Sequence, residues 1–405
     1  MRILVLDTVH GGTGIGTALH AAGNAVDMVD VYHGTTPDAE RDAHVRPYDM
    51  IVAPVHLDPD HALFRYGTIP VISHHEAVFR ILGGQVPHPM IEITGARGKT
   101  TTACALASVL PGSGILHTSA GTFQYPDREF LWKKSITPAS VIPAAARAYD
   151  QGGWLVAEES LGVTGAGDLA ILTSAEDYPC AAGKKSALAE KIVSVQRART
   201  VLVAPGIRID HLHAIHLEDV ARCEGSQCTV TYEGMTRVIE NPLFLLPPYR
   251  IPLMLAAAAA MIIHVDPLPL SRFEALPGRL SASRENGVMI IDNANSGMNV
   301  ETTICAARYA RYCSGEDDLT LVIGRMAGDG AVCEGFSPAQ IAEAITGTDP
   351  ARVILVGDFH PDKTDQLKHF KNRITAVCAT LAEGRRIALE STRKGTVVLA
   401  VKTWR

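Results

Sequence analysis

The chain has 405 residues, 47% of them hydrophobic and 20% charged, with a formal net charge of −6 and a pI near 6.2. That length predicts two or three domains with ample apolar content for packed cores, and the charge balance excludes the strongly basic footprint of a nucleic-acid-binding protein. The eight cysteines are scattered with no C-x-x-C pair, the nearest two being Cys223 and Cys228, which argues against a disulfide framework or structural zinc and fits a reducing cytoplasm.

The opening Met-Arg-Ile-Leu-Val-Leu-Asp reads as a strand rather than a secretory leader. The longest apolar run, Ile251 to Ile263, is too short to span a bilayer. A cytoplasmic protein with no membrane partner is expected.

Residues 1–87 alternate strand and helix patterns, with strands expected at Ile3–Leu6, Val26–Val31, Met50–Val55 and Pro70–Ser73 and a helix from near His75 stopped by Gly83-Gly84. This is a Rossmann-like pattern. The first strand runs into Asp7-Thr-Val-His10-Gly11-Gly12-Thr13-Gly14-Ile-Gly16, a ligand-contacting loop that lacks the G-x-G-x-x-G of a dinucleotide site because Thr17 stands where the third glycine belongs. Histidines crowd the segment: His10, His20, His33, His44, His56, His61, His74 and His75, then His88. Four of them, His10, His56, His74 and His75, follow expected strands and would gather at the carboxyl edge of the sheet, where open α/β sheets bind ligands. His10, Gly11, Gly12, His74 and His75 are the candidate substrate contacts, for an anionic or metal-bearing ligand.

Residues 88–268 form the expected nucleotide domain. Met90 to Thr94 reads as a buried strand, Gly95-Ala96-Arg97-Gly98-Lys99-Thr100-Thr101 as a phosphate loop, and Thr101 to Leu110 as a helix. Backbone N–H groups of such a loop point at phosphate oxygens, Lys99 reaches the outer phosphates, and the Thr100 hydroxyl suits Mg²⁺. The loop is shorter than a standard P-loop by two residues. Further on, Thr137-Pro138 opens a helix through Tyr149, strands follow at Trp154–Ser160, Leu169–Thr173 and Val201–Val203, and a helix carries Lys191. Glu158 or Glu159, then Asp177, are carboxylates at strand ends where Mg²⁺ would be held. Asp210, His211, His213 and His216 offer a weaker metal pair.

Residues 269–405 read as a third α/β unit, with Pro277-Gly278-Arg279 before a strand at Val288–Ile291, then Asp292-Asn293-Ala294-Asn295-Ser296-Gly297, a helix to Tyr312, and strands at Leu319–Ile323, Val353–Val356 and Val397–Val401. Arg279 is a candidate for phosphate charge neutralisation, and Asp292 and Asn293 for a ribose.

The segment from Thr94 to Thr101 resembles the shortened phosphate loop of the Mur ligases and folylpolyglutamate synthetases. Thr137-Pro138, Glu158 with Ser160, Leu172-Thr173, Lys191, Pro277-Gly278-Arg279, Ile291-Asp292 and Lys402 follow in that superfamily's order, over about three quarters of the chain. The resemblance implies a three-domain α/β architecture: a Rossmann-like N-terminal domain, a central P-loop-type ATPase domain with a parallel sheet, and a C-terminal Rossmann-like domain. It implies ATP and Mg²⁺ as cofactors, Glu158 as Mg²⁺ ligand, Lys191 where several relatives carry a carbamylated lysine, and Arg279 and Asp292 on the nucleotide. Departures stand at Ser174 and Asp177-Tyr178, at Arg250-Ile251 (which bears on the adenine contact) and at Asn293-Ala294-Asn295. Within the superfamily, Asp7-x-x-His10-Gly11-Gly12 and Ser73-His74-His75-Glu76-Ala77-Val78 are most similar to the coenzyme F(430) synthetases of methanogenic archaea. That likeness implies a nickel-tetrapyrrole substrate, with nickel entering only as part of it, and a cyclising ligase. An amide-forming ligase and a non-catalytic, nucleotide-gated tetrapyrrole-binding protein are the alternatives.

Overall fold

The computed structural model describes residues 1–32, 42–43, 45–64, 69–295, 297–326, 336–359 and 364–403. His33, His44 and Ser296 lie outside the described residues. The chain forms two compact units, Met1–Leu245 with Tyr249–Phe273, and Leu246–Pro248 with Glu274–Arg405. No described helix is long and apolar enough to cross a membrane.

The first unit holds two main sheets. Strands β1 (Arg2–Leu6), β2 (Ala25–Val29), β3 (Met50–Ala53) and β4 (Val71–Ser73) make a parallel sheet in the order β2-β1-β3-β4. Helix α1 (Thr13–Ala21) follows a wide turn over Thr8–Gly12, and α2 (His74–Leu82) follows β4 directly. Ser73 caps α2 by accepting from Glu76 N at 3.1 Å, a cap that contributes about 1 kcal/mol. Gly83 ends the helix in the left-handed region, φ 56°, which a glycine adopts without strain.

The second sheet has eight strands: β5 (Met90–Thr94), β6 (Gly114–Thr118), β7 (Gly121–Tyr125), β8 (Glu129–Trp132), β9 (Trp154–Glu158), β10 (Leu169–Leu172), β13 (Thr200–Val203) and β14 (Ala214–His216), in the order β14-β13-β10-β5-β9-β6-β7-β8. A two-stranded pair, β11 (Pro179–Cys180) and β12 (Lys185–Ser186), lies between β10 and β13 in sequence. Strands β5, β9 and β10 are buried throughout and mostly apolar, as parallel strands covered on both faces must be, with Glu92 buried inside β5 and Glu158 ending β9. The helices are α3 (Lys99–Ala107), α4 (Val141–Asp150), α5 (Ala187–Val195) and the one-turn α6 (Leu217–Val220). An antiparallel ribbon, β15 (Ala221–Glu224), β16 (Gln227–Tyr232) and β17 (Met235–Glu240), precedes the apolar helix α7 (Pro247–Ile262).

Two expectations shift here. Helix α3 begins at Lys99 rather than Thr101, because Gly98 at φ 85° turns the chain straight into it. Thr137-Pro138 opens a short 3₁₀ turn, Pro138–Ser140, before α4. The β6–β8 meander and the β15–β17 ribbon were not expected from the sequence.

The second unit is a six-stranded sheet, β18 (Ser281–Glu285), β19 (Val288–Asp292), β20 (Leu319–Arg325), β21 (Arg352–Val356), β22 (Ile374–Cys378) and β23 (Thr396–Lys402), in the order β18-β19-β23-β20-β21-β22 and parallel except for β18. Its helices are α8 (Val300–Ser314), α9 (Pro338–Thr348), α10 (Asp365–Lys368) and α11 (Leu381–Ser391).

Candidate active site

The central sheet brings its chemistry together through register. Leu172 pairs with Thr94 and Ile93 with Glu158, so the ends of β10, β5 and β9 lie side by side. Loops leaving adjacent parallel strands at the same edge therefore converge.

The candidate phosphate loop runs from Gly95 to Lys99. Gly95 has φ 148°, and a Cβ there would sit 2.1 Å from Thr173 Oγ1; Gly98 packs against Pro252 of α7. Thr173 donates its hydroxyl to the Thr94 and Arg97 carbonyls, and Ser174 Oγ accepts from Ala96 N at 3.0 Å and Arg97 N at 3.3 Å. The loop is thus stitched to the end of β10, with a hydroxyl oxygen at backbone donors suited to a phosphate oxygen. Lys99 Nζ donates to Gly95 O at 3.0 Å, folding its side chain over the loop. Arg97 pairs with Glu176 at 2.9 Å. Thr101 is buried on the inner face of α3.

Glu158 meets the loop. Its Oε2 accepts from Thr100 Oγ1 at 2.8 Å and from Ser119 N at 3.1 Å, with the carboxylate almost wholly buried. A hydroxyl and a carboxylate converging at a phosphate loop form a hard-oxygen donor pair suited to Mg²⁺. Of the two glutamates, Glu159 differs: burial, and then the charge of Glu92, push its carboxyl well above the ordinary carboxylate value. Glu92 in turn accepts backbone N–H groups of Thr164, Gly165 and Gly167. Asp177 is engaged at the start of α5, accepting from Leu188 N at 2.9 Å and Ser186 Oγ at 2.7 Å.

Lys191 sits on the buried face of α5 with Nζ 3.3 Å from Tyr178 Oη and 4.4 Å above the centre of that ring. Burial, and then the charge of Lys99, lower its pKa to about 8. The mutual repulsion shows that both cations share one neighbourhood. Arg250 donates to Phe244 O at 2.8 Å and lines a shallow groove with Pro205, Leu217, Cys223 and Met254. His211 and His213 stand with rings 6.3 Å apart.

In the first domain, His10 and His56 come together, ring centroids 4.8 Å apart, beside Asp7 and Tyr32. His74 bonds Leu6 O through Nε2 at 3.0 Å and is nearly fully buried. His75 is buried too, with Nε2 3.0 Å from Ser160 O, joining α2 to the segment after β9. Gly11 packs against Ala139 and Thr137, and a Cβ on Gly12 would overlap Asp7 O, so both glycines answer to close packing in the turn.

In the second unit, the antiparallel pairing of Ser281 with Asp292 sets the Arg279 turn beside the end of β19. Asn295 ties the two together, donating to Gly278 O at 2.7 Å and Asn293 O at 3.1 Å. Asp292 accepts from Ala294 N at 3.0 Å, and Asn293 is buried with its amide on Thr302 O at 3.2 Å.

A family model described as coenzyme F430 synthetase CfbE, C-terminal domain, matches residues 282–403. A coenzyme F(430) synthetase of Methanosarcina acetivorans is 31% identical, the match covering 88% of this chain and 90% of that protein. The chain belongs to the coenzyme F(430) synthetase family. Among solved structures, the UDP-N-acetylmuramate–alanine ligase MurC of Thermotoga maritima is similar with TM-score 0.55 at 14% identity, over 99% of this chain and 95% of that one. E. coli FolC, in complex with DHPP and ADP, is similar with TM-score 0.57 at 15% identity, over 82% and 90%. These likenesses show the three-domain Mur-ligase fold, and family and fold together support an ATP-dependent ligase.

In this F(430) synthetase-family chain the structure adds residues that sequence reasoning passed over. Ser119 joins Thr100 and Glu158 from the turn after β6. His117, at the end of β6, has its pKa lowered to about 4 by burial, against the pull of Glu158. His117 lies in β6, a strand the sequence reading did not assign, and Ser119 in the turn just after it, so neither could be aligned with the loop. Tyr32 joins Asp7 and the histidines of the first domain, and the signal available was its position just after β2.

Proposed function

We propose that the chain is an ATP-dependent cyclo-ligase acting on a nickel tetrapyrrole that carries a free propionate. The propionate oxygen attacks the γ-phosphorus of ATP, ADP leaves, and an acyl phosphate forms. A carbon of the same macrocycle then attacks the acyl carbon, phosphate departs, and the carbon's proton goes to solvent. The product is a carbocyclic ketone one water lighter than the substrate. Membership in the coenzyme F(430) synthetase family supports this choice of substrate.

The observation that carries the ATP-dependent half is the convergence of Lys99, Thr100 and Glu158 at one phosphate loop. The loop N–H groups of Ala96, Gly98 and Thr101 would hold phosphate oxygens, and Lys99 would balance charge on the transferring phosphoryl group. Thr100 and Glu158 would hold Mg²⁺, which when bound supplies charge neutralisation on the phosphates. Lys191 adds a second cation whose lowered pKa leaves an uncharged amine accessible near neutral pH. In the C-terminal unit we assign Arg279 to phosphate charge and Asp292 with Asn293 to the nucleotide. Residues 1–87 we assign to the tetrapyrrole, 88–268 to ATP and 269–405 to the nucleotide. An intramolecular attack needs no second substrate, and holding arm against ring supplies effective molarities on the order of 10⁵ M.

The test is mass spectrometry of the nickel seco-acid tetrapyrrole after incubation with protein, ATP and Mg²⁺, with ADP measured in parallel. Loss of one water matched to ADP, with no amine added, is expected. ADP release that requires an added amine would overturn ring closure in favour of amide formation. Tetrapyrrole binding with no ADP release would overturn the ligase.

A further inference from the structure

In the first-domain sheet the order β2-β1-β3-β4 means the chain runs from β1 outward to β2, then returns to the other side of β1 as β3. The reversal opens a crevice beyond the carboxyl ends of β1 and β3, which is where open α/β sheets bind ligands. Asp7 and His10 follow β1, His56 follows β3, and Tyr32 follows β2. The crevice is therefore lined by an imidazole from each side.

Among the described residues, Asp7, His10 and His56 form a group of three whose ligand atoms all lie within 4.8 Å of one another. Asp7 Oδ2 is 2.9 Å from His10 Nδ1. Metal bonds of about 2.1 Å put ligand atoms roughly 3 to 3.5 Å apart, so the Asp7–His10 separation already matches one edge of a coordination shell, and the two edges to His56 are no longer than 4.8 Å. Asp7 is fully buried and holds φ 77°, a strained backbone fastened by Val9 N and His10 N on its Oδ1. That fastening aims Oδ2 at His10. His56 stacks on Tyr32 at 5.6 Å, and His10 meets Tyr32 edge-on at 4.9 Å.

We propose that Asp7, His10 and His56 form a binding site for a divalent transition metal of the nickel(II) class, presented either as the bare ion or as the central ion of a tetrapyrrole. Two imidazoles with one carboxylate suit first-row ions of this kind and leave coordination positions open. The two sources differ in how they use the three residues. A bare ion takes all three. A macrocycle fills four equatorial positions and leaves one axial position on the protein side; a single imidazole then ligates, and the Asp7 carboxylate orients His10 from behind through Nδ1–H, a carboxylate–histidine arrangement. The second source rests on the function proposed above, and the first does not.

The test uses tag-free, full-length protein. It is titrated with CoCl₂, followed by ligand-field absorption, and separately with the nickel(II) seco-acid tetrapyrrole, followed by its visible spectrum and by the magnetic change that accompanies axial ligation. His10→Ala and His56→Ala are expected to weaken Co²⁺ binding at least about tenfold, with His20→Ala, an exposed histidine of the same domain, unchanged. Asp7→Asn keeps an acceptor for Val9 N and His10 N and should weaken binding without unfolding the turn. Co²⁺ binding sensitive to all three residues identifies the bare ion. A spectral change with the tetrapyrrole alone, lost in one of the two histidine variants, identifies the macrocycle. Should an alanine variant fail to fold, His10→Gln and His56→Gln replace it. No binding in either arm, or binding indifferent to both histidines, overturns the site. Failure of ring closure with Co²⁺ binding intact would instead remove the proposed function and leave the site standing.

Discussion

Lys99→Ala separates folding from catalysis at the phosphate loop. Lys99 is the first residue of α3, partly exposed, and donates to Gly95 O at 3.0 Å. Its removal forfeits that hydrogen bond, about 0.5–1.5 kcal/mol, against which alanine is the better helix former. The net cost is on the order of 1 kcal/mol or less, a shift of a few degrees at most in Tm. In the proposed reaction the same side chain would face charge that develops on the phosphoryl group, and losing one such preorganised donor costs roughly 3–4 kcal/mol, or about 10²–10³ in kcat. Thermal unfolding and ADP release, measured on the same preparation with the nickel seco-acid substrate, should show a fall in rate of at least ~100-fold with Tm nearly unchanged. Retention of more than about a tenth of the activity would refute the loop assignment, being less than ~1.4 kcal/mol of transition-state stabilisation. A large fall in Tm would refute the claim that Lys99 is not structural.

Glu158→Gln keeps an acceptor for Thr100 and Ser119 but removes the charge; ADP release should drop about 100-fold or more and need more Mg²⁺, and an unchanged Mg²⁺ titration would count against metal binding here. Gly95→Ala places a Cβ 2.1 Å from Thr173 Oγ1 at φ 148°; calorimetry should find ATP affinity reduced at least about tenfold, from backbone strain of roughly 1–3 kcal/mol. Lys191 has a pKa lowered to about 8 from 10.5, so between those values the unfolded chain binds the extra proton and stability gains with rising pH. Denaturant titrations across pH 8 to 10.5 should show that gain flattened in Lys191→Met, and identical slopes would mean that burial does not lower the Lys191 pKa in the folded chain.

Much of the central site was legible because it is local. Gly95 to Thr101 declares itself by composition and by the apolar strand before it, and the family resemblance pointed to Lys191 and Glu158. What was not legible depended on pairing. The choice between Glu158 and Glu159 turns on which side of a strand end faces the loop. In the structure the register of Ile93 with Glu158 and the Thr100 hydroxyl bring Glu158 to the loop. Asp177, the weaker candidate, is engaged at the start of α5. The β6–β8 meander, which brings in Ser119, is short and mixed in polarity, so no period marks it.

The sequence by itself determined the alternating strands and helices at the centres of the parallel sheets, the glycines that admit positive φ at Gly95 and Gly98, and the polar residues left at strand ends. These follow from backbone sterics and hydrophobic period, which act over a few residues. Only the tertiary structure decided that β9 lies beside β5 rather than at an edge. It also decided that β1 separates β2 from β3, and that His10 and His56, 46 positions apart by their numbers, face each other across one crevice while His74 and His75 turn inward. Strand order is a choice among distant pairings of similar apolar segments. Their energies differ through packing of the whole sheet, which no short stretch of sequence contains.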